Sequence, residues 1–172
     1  MARVFLSLGS NMGDRSANIS QAVSLLSISD KVNIVKTSSF YETEPWGNKK
    51  QGWFVNAAVA IDTEYSPEEL LDYCQKIEFK MGRIRNENER WGQRAIDIDI
   101  LMYDDKIISI PSKLNIPHPL MHLRAFVLVP MLEVKADLLH PVFNKTISEL
   151  YDELENPEDV FLYGTIIPKN EN

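Results

Sequence analysis

Two aspartates two residues apart form the clearest chemical signal in the chain. Residues 94–101 read RAIDIDIL, so apolar and acidic residues alternate. In a β-strand this alternation places the isoleucines on one face and Asp97 and Asp99 on the other, roughly 6.6 Å apart at ~3.3 Å per residue. Two carboxylates this close repel each other unless a cation or proton lies between them. Either they bind one or two Mg²⁺ ions against phosphate oxygens, or they line the solvated face of an amphipathic strand.

A cluster of arginines lies immediately before these aspartates. Four of the seven arginines lie within the twelve residues 83–94: Arg83, Arg85, Arg90 and Arg94. Arginine is preferred over lysine where planar, multidentate contacts to phosphate are needed. The polar segment 82–93 therefore predicts a long loop that closes over a substrate and excludes water, with Trp91 covering a flat ligand or acting as a latch. The alternative is a solvated loop whose arginines pair with Glu87 and Glu89.

Histidine and aromatic residues suggest further ligand contacts. His118 lies between two prolines, six residues before Arg124, and either donates a hydrogen bond to a phosphate or has a structural role. The aromatic-rich segment 41–54 leads into an apolar strand that contains Asn56. Aromatic faces and an amide suit a flat heterocycle, although ordinary core packing also explains the aromatics. Because an unpaired buried amide is costly, Asn56 requires a ligand or backbone partner.

Apolar patterning predicts the elements that position these residues. Strands are expected at 3–8, 32–41, 54–61, 95–103 and 106–110. Helices are expected at 17–26, 66–81, 123–134 with a break or kink at Pro130, and near 146–149. The sequence Ser66-Pro67-Glu68-Glu69 indicates a strong helix start with a capping box. Residues 43–52 and 111–119 are expected to be irregular.

The order of these elements predicts a ferredoxin-like α+β fold. A βαββαβ unit forms one antiparallel sheet with helices on one face, and a C-terminal extension follows it. The other face would remain free for a site. Residues 1–167 are expected to form a single domain, and residues 168–172 a frayed tail.

Composition and absent motifs narrow the function classes. The net charge of −7 argues against broad nucleic-acid binding. The longest apolar stretch, 125–134, is far below the ~20 residues of a membrane span, and the lone Cys74 excludes an intramolecular disulfide, which favours the cytoplasm. The sequence contains neither a P-loop, a Rossmann fingerprint nor the protein-kinase motifs. Phosphate would therefore be held by side chains and metal.

Taken together, these segments resemble the 6-hydroxymethyl-7,8-dihydropterin pyrophosphokinase family. The resemblance spans residues 4–150, and the combination R-W-G followed by R-x-x-D-x-D is highly specific. The matching segments are LGSN at 8–11, SFYET at 39–43, FVNAAV at 54–59, QKIE at 75–78, GR at 82–83, RWGQRAIDIDI at 90–100 and IPHP at 116–119. The resemblance implies a ferredoxin-like fold and transfer of pyrophosphate from ATP to a pterin hydroxymethyl group, a step of folate synthesis that releases AMP.

The same resemblance implies a role for each site residue. Two Mg²⁺ ions would be held by Asp97 and Asp99. The implied catalytic residues are Arg83, Trp91, Arg94, Asp97 and Asp99. The implied pterin-binding residues are Thr43, Trp46, Phe54, Asn56 and Phe126, with the two phenylalanines on either side of the ring. The implied ATP-binding residues are Gln75, Glu78, Arg85, Arg94, Ile100, His118 and Arg124.

Two other functions remain open at this point. One is a different Mg²⁺-dependent nucleotidyl or phosphoryl transferase that uses the same D-x-D. The other is a non-enzymatic ferredoxin-like module that binds nucleic acid, which would need sheet-face aromatics in the RNA-binding pattern. The expected partners are the small molecules ATP and 6-hydroxymethyl-7,8-dihydropterin, with no nucleic acid and no membrane, and the chain is expected to be a monomer.

Overall fold

The computed structural model describes residues 1–44, 52–82 and 95–164. The predicted loop at 82–93, most of the predicted loop at 43–52 and the predicted tail at 168–172 fall largely or wholly outside these ranges. The described elements are β1 (Ala2–Ser10), α1 (Arg15–Leu26), β2 (Val32–Thr37), β3 (Phe40–Thr43), β4 (Phe54–Thr63), α2 (Pro67–Lys80), β5 (Asp97–Tyr103), β6 (Ile108–Ile110), β7 (Leu114–Ile116), α3 (Ala125–Lys135), β8 (Leu139–His140), β9 (Lys145–Thr146), α4 (Ile147–Asp152) and β10 (Val160–Gly164).

The main sheet is antiparallel and forms the centre of the fold. Its strands lie in the order β10-β3-β4-β1-β5, and β2 pairs with β4 beside β3. Two small antiparallel ladders, β6-β7 and β8-β9, lie apart from it. The architecture is therefore mixed α/β, with a mostly antiparallel sheet and four helices in the described part of the chain.

The segment 32–41, predicted as one strand, is divided into β2 and β3 at Ser38. The backbone N–H of Ser38 donates to the Ala58 carbonyl at 2.8 Å, and its hydroxyl accepts from the Ala58 N–H at 2.8 Å. The hydroxyl also donates to the Ser39 carbonyl at 2.7 Å. A side chain that replaces a backbone partner interrupts the ladder. As a result β2 pairs with the second half of β4 and β3 with its first half.

Four strands of the described residues were not predicted: β7, β10 and the two short strands β8 and β9, which pair with each other. Residues 111–119 were expected to be irregular, but β7 lies within them and pairs with β6 through Ile108↔Ile116 and Ile110↔Leu114. Strand β10 pairs with β3 at the edge of the main sheet. Residues 160–163 are a continuous apolar run without alternating polar residues, so they lack the period-two pattern of a half-buried strand; Phe161, Leu162 and Tyr163 are exposed.

Both faces of the sheet are covered, contrary to the expectation that one face stays free. Helices α1 and α2 pack on the face that carries Leu6, Leu8 and Val59. Helices α3 and α4 pack on the opposite face, against Phe5, Ala58 and their neighbours. The two helices of the predicted βαββαβ unit do share a face, and the C-terminal extension covers part of the other.

The helix ends largely agree with the predicted signals. Ser66 caps α2, with its hydroxyl accepting from the Glu69 N–H at 3.3 Å. Thr146 and Glu149 form a reciprocal capping box at α4. Helix α3 continues through the buried Pro130 instead of breaking there. No helix in residues 1–44, 52–82 or 95–164 has the length and apolarity needed to span a membrane.

Candidate active site

The acidic face of β5 is confirmed. Ile98 and Ile100 are 5% and 4% exposed and belong to the core beneath α1 and α2. Asp97 and Asp99 alternate with them and therefore project from the opposite face, where both are half-buried. Ile100, predicted to contact ATP, buries its side chain in the core, so that only its backbone is available to a ligand.

Strand β1 connects this acidic face to the predicted pterin residues. Gly9 pairs with Asp97 of β5 on one side and with Asn56 of β4 on the other. A Cβ atom at Gly9 would lie 2.9 Å from Asn56 Oδ1, closer than real Cβ contacts allow. The absence of a side chain at Gly9 thus leaves room for the amide of Asn56 on the sheet face that also carries the carboxylates. The expectation that the first strand ends at residue 8 and that Gly9 begins a turn was wrong, because β1 continues through Gly9 to Ser10; the sequence analysis assigned Gly9 no role at the site.

The partner of Asn56 differs from the one expected. Asn56 is 4% exposed, and its Nδ2 donates to Thr43 Oγ1 at 3.1 Å. The prediction that the partner is a ligand or the backbone was therefore wrong for the Nδ2 group of Asn56, because the adjacent strand β3 supplies the hydroxyl of Thr43. Phe54 pairs with Thr43 across the same two strands. The structure thus brings together Thr43, Phe54 and Asn56, three of the five predicted pterin residues.

The fourth pterin residue, Phe126, lies in the first turn of α3 on the same side of the sheet. Its ring packs against the core under α3, and the Arg124 guanidinium lies 5.4 Å from the ring centroid. Burial lowers the pKa of Arg124, while the charges of Asp99, Asp97 and Glu158 act in the opposite direction. One helix start therefore carries a predicted pterin residue and a predicted ATP residue, within electrostatic range of the acidic pair.

His118 is held by the backbone beside β5. Its N–H donates to the Leu101 carbonyl at 2.9 Å, and its Nδ1 accepts from the Leu120 N–H at 3.1 Å. Burial, aided by the charge of Arg124 and opposed by that of Asp97, lowers the pKa of His118 to about 4. The ring is therefore neutral at neutral pH and carries its proton on Nε2. Such a histidine is able to donate one hydrogen bond from Nε2.

Helix α2 carries the remaining predicted ATP residues that the structure describes. Glu78 is 4% exposed, and its Oε2 accepts from the Ile98 N–H at 3.2 Å, which ties α2 to β5 between the two aspartates. Gln75 lies one turn earlier and is half-buried. Burial raises the pKa of the neighbouring Cys74 thiol, and the charges of Glu78 and Asp99 add to that effect. Cys74 is thus a buried neutral thiol.

Five predicted site residues lie outside the described ranges: Trp46, Arg83, Arg85, Trp91 and Arg94. The sequence analysis also missed Glu158, whose Oε1 accepts a hydrogen bond from the Phe126 N–H at 2.9 Å. The two residues are 32 positions apart, and no local pattern connects them.

The donor set suits magnesium better than a metal that needs a protein cage. Within the described residues, no group of three or more His, Cys, Asp or Glu side chains could hold a metal ion. Asp97 and Asp99 place two carboxylates on one face of β5. Mg²⁺ is commonly bound by one or two carboxylates, with waters and substrate phosphates completing its shell.

Paired carboxylates, an arginine, a neutral histidine and a separate group of aromatic and amide side chains define a class of enzyme. It is one that brings a phosphate compound next to a flat heterocycle. The family model described as 7,8-dihydro-6-hydroxymethylpterin-pyrophosphokinase matches residues 5–136, and the chain belongs to this family.

Curated relatives carry the same description over nearly their whole length. A 2-amino-4-hydroxy-6-hydroxymethyldihydropteridine pyrophosphokinase of Methylorubrum extorquens is 44% identical over 155 residues, which cover 90% of this chain and 95% of the relative. The enzyme of the same name from Aquifex aeolicus is 40% identical over 153 residues, covering 89% and 92%. These similarities do not favour a nucleic-acid-binding module.

Solved structures show the same fold. Plasmodium falciparum HPPK-DHPS A437G matches with a TM-score of 0.68 and 19% identity, covering 88% of this chain and 45% of the other. The wild-type protein with pteroate matches with a TM-score of 0.70, covering 88% and 42%. This chain thus spans less than half the length of those structures, and at this identity the likeness concerns the fold alone.

Proposed function

We propose that the protein transfers pyrophosphate from ATP to the hydroxymethyl group of 6-hydroxymethyl-7,8-dihydropterin, a step in folate biosynthesis. The products are AMP and the pterin diphosphate. The observation that carries the proposal is the arrangement around Gly9, which places the Asp97 carboxylate and the Asn56 amide on one sheet face. The family membership of the chain supplies the identity of the two substrates.

The pterin would bind where β3, β4 and α3 meet. Phe54 and Phe126 offer aromatic faces from the sheet and from α3, which suits a flat ring held between them. Asn56 and Thr43 are buried and already joined by a hydrogen bond, so the Oδ1 of Asn56 keeps its capacity to accept from a pterin N–H. Trp46 is predicted to contact the same ligand.

ATP would bind on the β5 side of this group. Asp97 and Asp99 would hold Mg²⁺, two ions in our proposal, and the metal would offset the negative charge of the phosphate oxygens. His118 would donate its Nε2 proton and Arg124 its guanidinium protons to phosphate oxygens. Gln75, Glu78 and the backbone of Ile100 would lie toward the nucleoside, and Arg85 is predicted to join them.

The reaction would be an in-line displacement. The pterin hydroxymethyl oxygen forms a bond to the β-phosphorus, the bond from that phosphorus to the oxygen bridging to the α-phosphorus breaks, and the hydroxyl proton passes to solvent. The residues of this chain contribute by holding both substrates in place and by offsetting charge on the transferred group. Arg83, Arg94 and Trp91 remain predictions, with the arginines on the phosphates and Trp91 in the closing loop.

The finer features of the molecule belong to the same proposal. A ferredoxin-like core is supported by the order β5-β1-β4-β2, with β2 and β3 together in the position of a single second strand. We also propose that the chain acts in the cytoplasm, because its only cysteine is a buried neutral thiol, and that it acts as a monomer.

The proposal predicts that loss of either aspartate stops turnover. Asp97→Asn and Asp99→Asn each remove a negative ligand without changing side-chain size. We expect kcat to fall by about two orders of magnitude or more, because metal-ion charge stabilisation is worth several kcal/mol. The measurement is chromatographic quantification of AMP with Mg²⁺, ATP and the pterin.

Asp105→Asn provides the matched control, since Asp105 is exposed in the turn after β5, and this variant should keep wild-type activity. Near-normal turnover by Asp97→Asn would contradict the metal assignment. Formation of ADP in place of AMP would instead show a different phosphoryl transferase.

A further inference from the structure

The first turn of α3 is capped from a distant part of the chain. Arg124 occupies the N-cap position, and its side chain makes no capping hydrogen bond. The first N–H groups of a helix lack partners within the helix. One of them, the N–H of Phe126, donates to Glu158 Oε1 at 2.9 Å. Glu158 thus does what a Ser or Asp at the N-cap position usually does.

The capped turn carries one residue predicted to bind each substrate, Phe126 for the pterin and Arg124 for ATP. The Arg124 guanidinium lies over the Phe126 ring, 5.4 Å from its centroid. The carboxylate of Glu158 is close enough to act on the charge of Arg124. A displacement of this turn would therefore move the Phe126 ring, which lies close to the backbone, whereas the long side chain of Arg124 can change rotamer and still reach a phosphate.

The segment that holds Glu158 is anchored to the same site. Two residues later, Val160 begins β10 and pairs with Thr43 of β3. Leu154, shortly before it, packs against the core under α3. Glu158 also lies outside residues 5–136, which match the family model, so the contact comes from the C-terminal extension.

We infer that Glu158 is a positioning residue for the pterin site, which holds Phe126 in place by capping α3. The inference rests on the proposed role of Phe126. The carboxylate oxygen fixes the backbone of the turn, and the turn fixes the ring. Because the cap needs an acceptor oxygen and not a charge, an amide at this position should serve nearly as well.

The test compares Glu158→Ala with Glu158→Gln. Binding of the pterin is followed by its own fluorescence, and binding of a non-hydrolysable ATP analogue with Mg²⁺ by calorimetry. We expect Glu158→Ala to raise the pterin Kd by about three- to tenfold, because the uncapped turn no longer holds the Phe126 ring in place. Glu158→Gln should stay within about twofold of wild type. Asp159→Asn is the control, because Asp159 is exposed and the charge change equals that of Glu158→Gln.

The nucleotide measurement distinguishes a positioning role from a general effect on stability. If Glu158 positions Phe126, nucleotide affinity should not fall in either Glu158 variant, because removal of a carboxylate near Arg124 leaves more of the arginine charge to attract phosphate. General loosening of the fold would weaken both ligands together. A parallel loss of pterin and nucleotide affinity, or a Glu158→Ala variant that binds pterin as well as Asp159→Asn, would overturn the inference.

Phe126→Ala separates this inference from the proposed function. If Phe126→Ala weakens pterin binding while Glu158→Ala does not, the positioning role of Glu158 fails alone. If Phe126→Ala binds pterin normally, the ring has no such role, and the inference fails together with the role assigned to Phe126, while pyrophosphate transfer itself is tested by the aspartate variants.

Discussion

Gly9, which has no side chain, lies between the residues that carry the Asn56 amide and the Asp97 carboxylate. It lies between the acidic strand β5 and the amide-bearing strand β4, paired with a site residue on each side. The atom that a side chain at Gly9 would meet first is Asn56 Oδ1, at 2.9 Å from an added Cβ; the nearest backbone atom is the Val55 carbonyl oxygen at 3.9 Å. Substitution should therefore displace the amide without breaking the strand.

We expect Gly9→Ala to raise the pterin Kd by about tenfold, since the Asn56 amide must move away from its place beside Thr43. The fold should persist, because the overlap is with the end of a side chain. Pterin fluorescence titration measures the affinity, and circular dichroism verifies the fold. In Gly164→Ala, the added Cβ would have its nearest neighbour at 4.0 Å, so this control should bind normally. Unchanged affinity in Gly9→Ala would contradict the role of Asn56.

At the scale of elements, α3 is fastened to the sheet near its C-terminal end as well as at its start. Glu133 accepts hydrogen bonds from the Ser39 N–H at 2.9 Å, the Ser39 hydroxyl at 2.8 Å and the Tyr41 hydroxyl at 2.6 Å. Burial and this bond to Glu133 raise the pKa of Tyr41 to about 12. The helix that carries Phe126 is thereby tied to the strand that carries Thr43.

This tie predicts a stability difference that depends on pH. Tyr41→Phe removes one hydrogen bond to a carboxylate and should lower the free energy of unfolding by about 1–2 kcal/mol near neutral pH. The unfolded tyrosine ionises near pH 10, whereas the folded one holds its proton up to about 12. The wild-type stabilisation is therefore complete below pH 10 and is lost as the pH rises toward 12.

Urea titrations across this pH range measure the effect, and the gap between wild type and Tyr41→Phe should narrow above pH 10. Tyr151→Phe, at an exposed tyrosine of α4, should follow the wild type throughout. A gap that stays constant with pH would show that the proton of Tyr41 does not contribute.

At the scale of the whole molecule, the sheet separates two hydrophobic cores, and the core under α3 supports the helix that carries Phe126 and Arg124. Leu26 of α1 and Leu128 of α3 are both 0% exposed, on opposite faces. Truncation of either leucine to alanine should cost about 2–5 kcal/mol of stability. Since α3 also carries Phe126 and Arg124, a cavity beneath it lets those side chains shift.

We therefore expect Leu128→Ala to weaken pterin binding several-fold, while Leu26→Ala, about equally destabilised, binds the pterin normally. Urea unfolding gives the stability of each variant, and fluorescence titration below the melting range gives the affinity. Equal weakening in both variants would mean that overall stability, and not the position of α3, governs the site.

Local sequence determined those features that depend on neighbours in the chain. The alternation at 96–100 predicts the acidic face of β5 because strand periodicity alone separates Ile98 from Asp99. Ser66 predicts the start of α2 because a cap acts within one turn. The ordered family motifs likewise indicated the reaction before any contact between those residues was known.

Tertiary structure alone decided the contacts that depend on distant segments. The break at Ser38 arises because its hydroxyl binds Ala58 on another strand. Coverage of the second sheet face and the approach of Glu158 to Phe126 depend on where the C-terminal extension returns. Periodicity reports which residues are buried, whereas the partner that buries or caps them is selected by long-range packing over the whole chain.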